Sequence, residues 1–413
     1  MDRSEQIELD DARRMVFQAL TPLPTVALEL DCALGRVIAE DVVAERPLPA
    51  FDSSAMDGFA VRASDLAGAR TGAPATLRVV DESRAGRPAR AALARGQAIA
   101  ISTGAMIPAG ADAVVRIEDT RREDGVVEVL GQVTPGEQVR RAGEDVQAGA
   151  TVLARGATLG PAQLGALASL GRAHVTCARP PRVSLLVTGD ELLAAGEPLR
   201  AGAIRDSNSH AIIALARCAG ADVIASEVVG DDEQRTRSTL AIAAADADAV
   251  IVCGGMSVGA HDHVRPSLRA LGATQAFWGL ALRPGHPTWF GSLKGTPVFG
   301  LPGNPVSAIV TFVLLAGPAL RAMQGAPPAD QRPSARLDVG YEKPAGRAHA
   351  LRCRLTARDD GWHVRPTGPQ GSHVLSSMLA ADALAIVPSA VTRVTRGERV
   401  QVEPLARWTG GWA

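Results

Sequence analysis

The strongest constraint on the fold is a regular alternation of apolar and helical segments between residues 182 and 323. The apolar segments are RVSLLV (182–187), ADVIASEVV (221–229), ADAVIVCGG (247–255) and TPVFGLP (296–302). Helical patterns cover 207–220, 231–245 and 304–323. Continuously apolar strands are buried on both faces, and their alternation with helices is typical of a mostly parallel sheet. We therefore predict a three-layer α/β/α domain here.

The flanking regions have a different pattern. From about residue 45 to 180 the chain is rich in Gly, Pro, Val and Ala, and its short apolar runs are broken by Gly and Pro. Such runs indicate small β-structures, arranged here as two lobes. The tail from about 334 to 405 returns to short strands and predicts a small all-β domain.

Charge and cysteine usage exclude several classes of protein. The net charge of −1 provides no global field for nucleic acid or an anionic membrane. The five cysteines are scattered without a C-x-x-C pair, which indicates reduced thiols rather than a disulfide framework. Residues 1–20 lack an apolar signal core, and the apolar run at 308–320 is too short to span a bilayer. We expect a cytoplasmic protein that binds neither nucleic acid nor membrane.

Three loops follow the apolar strands directly: TGDEL (188–192), CGGMSVGAHD (253–262) and LPGNP (301–305). In an open α/β sheet, ligands bind beyond the carboxyl ends of the strands. Glycines let the backbone approach a ligand, and N–H groups at a helix start bind anions; Asn304 and Pro305 are expected at such a start. Carboxylates beside an anion require a divalent cation between them. The loops predict a phosphate or oxyanion site with a metal ion, although well-built turns have the same composition.

Two further patterns leave alternatives open. Residues 255–259 fit the G-x-S-x-G elbow of serine hydrolases, with Ser257 as nucleophile, but no HGGG-type oxyanion loop accompanies them. The H-D-H triplet at 261–263 suggests a transition metal, yet spacing marks no third His or Cys ligand. Asp262 is the better candidate in this triplet, as a ligand for Mg²⁺.

Nine segments taken together resemble one family. They are AFDSSAMDGFAV (50–61), STGAMIPAGADAVVRIED (102–119), AGEDV (142–146), VTGDEL (187–192), IRDSNSHAI (204–212), CGGMSVGAHDHV (253–264), LRPGHPTWFG (282–291), GLPGNPVSA (300–308) and QGSHVLSSM (370–378). In this order they resemble the molybdopterin molybdenumtransferases, also known as MoeA and as the C-terminal portion of gephyrin. The resemblance extends from about residue 7 to 405.

The resemblance implies a four-part homodimer. The expected parts are an α/β molybdopterin-binding domain (1–26 plus 182–326), a linking lobe (27–46 plus 146–181), a β-rich lobe (47–145) and a C-terminal β-barrel (327–413). In the dimer, the loop at 50–61 of one subunit would face the α/β cleft of the other.

The implied activity is the insertion of molybdate into adenylylated molybdopterin (molybdopterin-AMP), with release of AMP and with Mg²⁺ or another divalent cation bound. Transient contacts with molybdopterin adenylyltransferase and apo-molybdoenzymes are expected. The alternatives are a non-catalytic or specialised paralogue acting as a dimeric scaffold and, less favoured, the serine hydrolase.

The resemblance also assigns residues to roles. Catalytic roles are implied for Asp57, Asp145, Glu191 and Asp262, and metal binding for Glu191, Asp262 and Asp231 (or Asp232). Substrate binding is implied for Thr188, Gly189, Asp206, Ser207, Asn208, Gly254, Gly255, Ser257, Gly259, Pro302, Gly303, Asn304 and Pro305. Molybdate binding is implied for Arg283, His286, Arg352 and Ser372. The chain departs from the family pattern at His286, where Lys is usual; a neutral imidazole carries no charge, so molybdate affinity is expected to depend on pH.

Overall fold

The computed structural model describes residues 6–257, 259, 262–328 and 332–406. The helices in these residues are α1 (Leu9–Gln18), α2 (Pro161–Ser169), α3 (Asn208–Cys218), α4 (Glu233–Asp246), α5 (Val264–Ala270), α6 (Pro305–Thr311), α7 (Gly317–Met323) and α8 (Ser376–Leu379). The strands that precede residue 181 are β1 (Thr25–Glu29), β2 (Val42–Val43), β3 (Ser53–Ser54), β4 (Gly58–Val61), β5 (Ala75–Ser83), β6 (Gln97–Ile101), β7 (Ala113–Arg116), β8 (Thr120–Glu123), β9 (Val126–Val129), β10 (Val139–Arg140), β11 (Thr151–Leu153) and β12 (His174–Ala178). The central strands are β13 (Arg182–Thr188), β14 (Leu192–Leu193), β15 (Ile204–Arg205), β16 (Asp222–Val229), β17 (Ala249–Cys253), β18 (Thr274–Trp278), β19 (Leu282–Arg283), β20 (Trp289–Leu293) and β21 (Thr296–Leu301). The C-terminal strands are β22 (Ser334–Leu337), β23 (Tyr341–Glu342), β24 (Ala348–Arg358), β25 (Gly361–Pro366), β26 (Ala383–Val387), β27 (Arg393–Val394) and β28 (Arg399–Pro404).

The central sheet has the strand order β16-β13-β17-β21-β20-β18. Its first four strands pair in parallel, as the sequence predicts. β20 and β18 then extend the sheet in antiparallel pairings. These two strands were not predicted, because Gln275, Gly291 and Ser292 interrupt their apolar pattern.

Both faces of this sheet are buried. Successive side chains of a strand point to opposite faces, so Leu185 packs with α1, α3, α6 and α7, while its neighbour Leu186 packs with α4 and α5. In β17, Ile251 packs on the same face as Leu185, and Val252 packs on the same face as Leu186. Burial on both sides is the reason that these strands are continuously apolar.

The helical run that follows the sheet is longer than the sequence analysis allowed. α6 continues through a π-helical turn (Phe312–Ala316) into α7, so that Pro305–Met323 forms a run of 19 residues with mean hydropathy 1.8. By length and composition this run is sufficient to cross a membrane, so the estimate of a short apolar segment at 308–320 was wrong. However, 78% of it is buried inside the protein, where it packs in the same core as α1 and α3.

The lobes before residue 181 are built from pairings between distant segments. β1 pairs with β12 and β2 pairs with β11, both antiparallel. Between these segments in the chain lies a second sheet, with the order β7-β4-β6-β5-β9-β8. A β-rich unit is thus inserted into a smaller two-segment unit, while the residue boundaries of the four parts stay a prediction.

The C-terminal strands form the small β-barrel that was predicted. β24, β25, β22, β28 and β26 follow one another, and an additional pairing of β24 with β26 closes the ring. The short strand β19 pairs in parallel with β24, which attaches the loop containing Arg283 to the barrel.

An ion pair joins the segment after β12 to the α/β domain. The Arg179 guanidinium donates two hydrogen bonds to the Asp248 carboxylate, at 2.5 and 2.7 Å, and the Arg182 amide donates a third at 2.7 Å. Burial raises the pKa of Asp248, but the hydrogen bonds from Arg179 and Arg182 lower it by more, so the net shift of this pKa is downward.

We predict that Asp248→Asn lowers the free energy of unfolding by about 1.5–3 kcal/mol at pH 7, the usual range for hydrogen bonds to a charged group. Because the pKa of Asp248 is lower in the folded state, this stabilisation is present above the unfolded pKa and is lost as the pH falls below about 4. Denaturant unfolding between pH 3 and 7 measures it, with the exposed Asp246→Asn as control. A difference from wild type that does not shrink on acidification would contradict this account.

Gly58, the first residue of β4, is required by a close backbone approach. A Cβ at this position would lie 1.9 Å from the carbonyl oxygen of Val115 on the neighbouring strand. We predict that Gly58→Ala lowers stability by about 1–3 kcal/mol, since the two strands must separate. Gly72→Ala in the same lobe has nothing within 4 Å and serves as control. Equal melting temperatures for the two variants would show that β4 relaxes without cost.

Candidate active site

A cleft of about 830 Å³ lies at the carboxyl ends of the parallel strands. The loops that follow β13, β16, β17 and β21 all contribute to it, which is where an open α/β sheet binds ligands. Most of the residues predicted to bind substrate or metal line this cleft: Thr188, Gly189, Glu191, Asp206, Ser207, Asn208, Asp231, Gly254, Gly255, Ser257, Asp262, Pro302, Gly303, Asn304 and Pro305.

The loop after β17 offers backbone donors to the cleft. Gly254 and Gly255 have φ angles of +93° and +62°, and a Cβ on Gly254 would lie 2.9 Å from the carbonyl oxygen of Thr188. The N–H groups of Gly255, Met256 and Ser257 make no hydrogen bond to any described residue. Successive N–H groups left open in such a turn form a concave site for an anion.

The start of α6 adds further donors. The N–H groups of Gly303 and Asn304 also have no acceptor among the described residues. Asn304 occupies the N-cap position and Pro305 the first turn, as predicted, but the Asn304 side chain makes no capping bond. Instead its Nδ2 donates to Ser372 Oγ at 3.2 Å, and the Val306 amide donates to the Ser372 carbonyl at 3.2 Å. The helix start is therefore open toward the cleft and attached to the C-terminal region.

The start of α3 forms another wall. Asn208 Nδ2 donates to the Gly303 carbonyl at 2.7 Å, whereas its Oδ1 is buried without a partner among the described residues. The buried Asp206 carboxylate accepts from the Ser209 amide at 3.0 Å. The Ser207 side chain makes no capping bond, so it remains available to a ligand.

Four carboxylates line the same cleft. They are those of Glu191, Asp206, Asp231 and Asp262. The Glu191 carboxylate folds over Gly189, where a Cβ would lie 2.4 Å from Oε2, and Asp262 Oδ2 accepts from the Gly259 amide at 3.1 Å. Within the described residues, no three His, Cys, Asp or Glu side chains converge closely enough to hold a metal ion by themselves.

Several predicted residues lie outside the lining of the cleft. Asp57 and Asp145 belong to exposed loops before β4 and after β10, and Asp57 Oδ1 accepts from the Thr103 amide at 2.8 Å. Gly259 contributes through its bond to Asp262 rather than as lining. His261 of the H-D-H triplet lies outside the described residues.

The four predicted molybdate ligands do not line the cleft, although sequence neighbours of His286 and Ser372 do. The Arg283 side chain is exposed, and the backbone of Arg283 is paired with that of His349 where β19 meets β24. Pro287, in the loop that follows β19, lines the cleft. His286 Nδ1 lies 3.0 Å from the Leu280 carbonyl oxygen. A carbonyl can only accept a hydrogen bond, so Nδ1 carries the proton and Nε2 can donate only when the ring is cationic.

Arg352 is the largest fully buried side chain among the residues that the structure describes. Its Nε donates to Ser377 Oγ and its Nη2 to the Gly371 carbonyl, both at 3.0 Å, but Nη1 is buried without a partner among the described residues. Burial lowers the pKa of this guanidinium. Arg352 thus holds the segment that carries Ser372 from beneath.

Some residues of the cleft were not predicted from the sequence. Arg205, Met256, Pro287, His373 and Leu375 also line it. His373 and Leu375 come from the segment QGSHVLSSM, whose only signal was its place in the resemblance.

The geometry gives no support to the serine hydrolase. Among the described residues, no histidine forms a hydrogen bond with the Ser257 hydroxyl. A serine nucleophile requires an adjacent base within hydrogen-bond reach.

Comparison with known proteins agrees with this architecture. The model of the MoeA N-terminal region (domain I and II) matches residues 7–171, that of a probable molybdopterin binding domain matches 184–322, and that of the MoeA C-terminal region (domain IV) matches 334–405. The chain is 38% identical over 409 residues to the molybdopterin molybdenumtransferase of Haemophilus influenzae, covering 98% of this chain and 100% of that protein. It is 38% identical over 400 residues to molybdopterin molybdenumtransferase 2 of Mycobacterium tuberculosis, covering 95% and 98%.

A solved structure shows the same fold over nearly the whole chain. The molybdopterin biosynthesis MoeA protein of Pyrococcus horikoshii superposes with a TM-score of 0.83 at 32% identity, covering 96% of this chain and 99% of that one. The resemblance found in the sequence motifs is confirmed, and the chain belongs to the molybdopterin molybdenumtransferase (MoeA) family.

Proposed function

We propose that this protein inserts molybdate into molybdopterin-AMP, releasing AMP and forming molybdenum cofactor. The observation that carries the proposal is the set of open backbone N–H groups in the cleft, at Gly255, Met256, Ser257, Gly303 and Asn304. A phosphoanhydride has the acceptor oxygens that such donors fit, and the positive end of a helix strengthens their attraction. The identities of the pterin and of the transferred metal are taken from the names of the relatives.

The chain's contribution to this reaction is positioning and electrostatics. The Gly254–Gly255 turn and the start of α6 hold the phosphates from two sides. Ser207 and Asn208 reach the polar edges of the bound molecule, with the buried Asn208 Oδ1 as an acceptor that lacks a donor among the described residues. No covalent intermediate is required, so Ser257 acts as a hydrogen-bond donor.

The carboxylates of the cleft fit a divalent cation. Glu191, Asp231 and Asp262 carry hard oxygen donors of the kind that Mg²⁺ prefers, and their charges would otherwise repel the phosphates. Mg²⁺ commonly uses one or two carboxylates and completes its shell with substrate phosphates and water, which agrees with the lack of a closed ligand set among the described residues. The three carboxylates do not converge in this conformation, so we propose that the cation takes one or two of them as ligands; when bound, it would neutralise charge on the phosphates.

The molybdate would bind beside the pterin end of the cleft. We assign it to Arg283, His286, Arg352 and Ser372, which lie on the loop before β20 and on the segments of the barrel attached to α6. The Leu280 carbonyl fixes the tautomer of His286, so the ring donates to an oxyanion only when it is protonated.

We propose that Asp57 and Asp145 act in a homodimer. Both are exposed and neither lines the cleft of its own chain, so we propose that the loop at 50–61 of a second copy completes the site. The four-part division, cytoplasmic location, and transient contacts with molybdopterin adenylyltransferase and apo-molybdoenzymes belong to the same proposal.

We predict that the purified protein releases AMP from molybdopterin-AMP when both molybdate and Mg²⁺ are present, and that molybdenum is then found on the pterin. Chromatography of AMP and metal analysis of the pterin measure the two products. Ser257→Ala should retain most of this activity, because the Gly255–Ser257 backbone remains. Tight binding without turnover would instead favour the dimeric scaffold, and inactivation by a fluorophosphonate probe would favour the hydrolase.

We predict that Glu191→Gln and Asp262→Asn each raise the Mg²⁺ concentration needed for half-maximal AMP release by at least about tenfold, since each removes an anionic ligand. Asp222→Asn, an exposed carboxylate at the start of β16, is the matched control. If all three variants required the same Mg²⁺ concentration, the assignment of Glu191 and Asp262 as metal ligands would be wrong.

A further inference from the structure

Trp278 lies between the two loops that border the proposed anion sites. It is the last residue of β18, and its indole Nε1 donates to the Met256 carbonyl at 2.9 Å. On the same loop, the Ser257 carbonyl lies 3.5 Å from Arg265 Nη1. Two consecutive carbonyl groups of the glycine-rich loop therefore face groups that belong to β18 and α5.

The ring of Trp278 is itself held in place. The Arg265 guanidinium carbon lies 4.2 Å from the indole centroid, a distance at which a cation is attracted to an aromatic face. The His286 ring lies 5.9 Å from the indole, centroid to centroid. The loop that carries Ser257 and the loop that carries His286 thus contact the same side chain.

We propose that Trp278 is a positioning residue for the proposed reaction, fixing the peptide between Met256 and Ser257 and coupling the glycine-rich loop to the His286 loop. The inference rests on the proposed function. In a trans peptide the C=O and N–H groups point in opposite directions. A carbonyl of Met256 held toward the indole therefore turns the Ser257 N–H away from Trp278, leaving it open to the cleft.

The positions of the glycines agree with this role. Gly254 and Gly255 adopt positive φ, and this backbone has several accessible conformations in the absence of outside contacts. Gly259, Asp262 and the start of α5 follow, so a rotation at Met256 would move the proposed metal ligand as well as the phosphate donors. The bond to Trp278 selects one conformation before the substrate arrives, which lowers the entropic cost of binding.

The chain offers a matched control in Trp289. This residue lies in the core, is 3% exposed, and donates its own indole N–H to Gln275 Oε1 at 2.9 Å. Neither tryptophan lines the cleft, but the Trp289 indole donates to β18 and not to the glycine-rich loop. Trp278→Phe and Trp289→Phe each remove one indole hydrogen bond and leave an aromatic ring. A purely structural role predicts similar effects of the two changes on stability and no effect of either on substrate binding.

The experiment measures molybdate-dependent AMP release and the equilibrium binding of AMP by wild type and both variants. We expect Trp278→Phe to raise the KM for molybdopterin-AMP about three- to tenfold, the size of effect that loss of one hydrogen bond produces. Trp289→Phe should leave the KM unchanged. If Trp278→Phe does not fold, Arg265→Gln replaces it; this variant loses the stacked cation and should raise the KM in the same direction, by about two- to threefold.

The outcomes separate the two proposals. Active wild type with an unchanged KM in Trp278→Phe overturns the role of Trp278 and leaves the proposed function standing. Wild type that releases no AMP overturns the proposed function, and the AMP affinities then decide: weaker binding by Trp278→Phe alone supports positioning, and equal binding overturns it. Wild type that neither turns over nor binds AMP overturns both.

Discussion

The burial of the central sheet on both faces is the constraint from which the cleft follows. Parallel strands in register end at one edge, and here Thr188 lies opposite Val229 while Cys253 lies opposite both Val187 and Leu301. Helices cover both faces, so the chain can leave a strand only through a loop at that edge. These loops must also start the next helices, whose first N–H groups have no partner within the helix. A row of open donors beside one cleft is thus a consequence of the topology.

The same edge carries four carboxylates, and this combination restricts the ligand. Open N–H groups favour an anion, whereas carboxylates repel one at contact distance by several kcal/mol at an effective dielectric of about 20. Asp206 is only 7% exposed, so solvent screens its charge poorly. An anion that arrives with a divalent cation satisfies both sets of groups. A neutral ligand would leave the donors of Gly255 to Ser257 without acceptors, and a bare anion would leave the carboxylates without a counter-ion.

The sequence predicts those parts of the molecule that local patterns determine. The parallel strands are apolar throughout because both faces are buried, and the loops after them are recognisable by their glycines and acids. β18 and β20 escaped prediction since their pattern is mixed, and the run from Pro305 to Met323 exceeded expectation because it continues through a π turn. Trp278 and His373 could not be found as neighbours of the cleft, since they reach it only through tertiary pairing of β18 with β20 and of Ser372 with Asn304. Asp57 and Asp145 lie outside the cleft lining of their own chain, so the geometry of a single chain does not test the roles implied for them.

A series of side-chain hydrogen bonds connects the walls of the cleft to the C-terminal domain. Asn208 holds the Gly303 carbonyl, Asn304 holds Ser372, and the buried Arg352 holds Gly371 from the other side. Buried polar atoms left without partners, such as Asn208 Oδ1 and Arg352 Nη1, each cost roughly 1–3 kcal/mol. Such costs are tolerated at sites where a bound molecule can satisfy the open valences. One of these atoms is an acceptor in the wall of the cleft and the other a cationic donor beneath the barrel segment, so the two satisfy different chemistry. Asn208 Oδ1 can pair with a donor on a molecule in the cleft, whereas Arg352 Nη1 is fully buried and outside the cleft lining, so a ligand in the cleft would offset only the first of these costs.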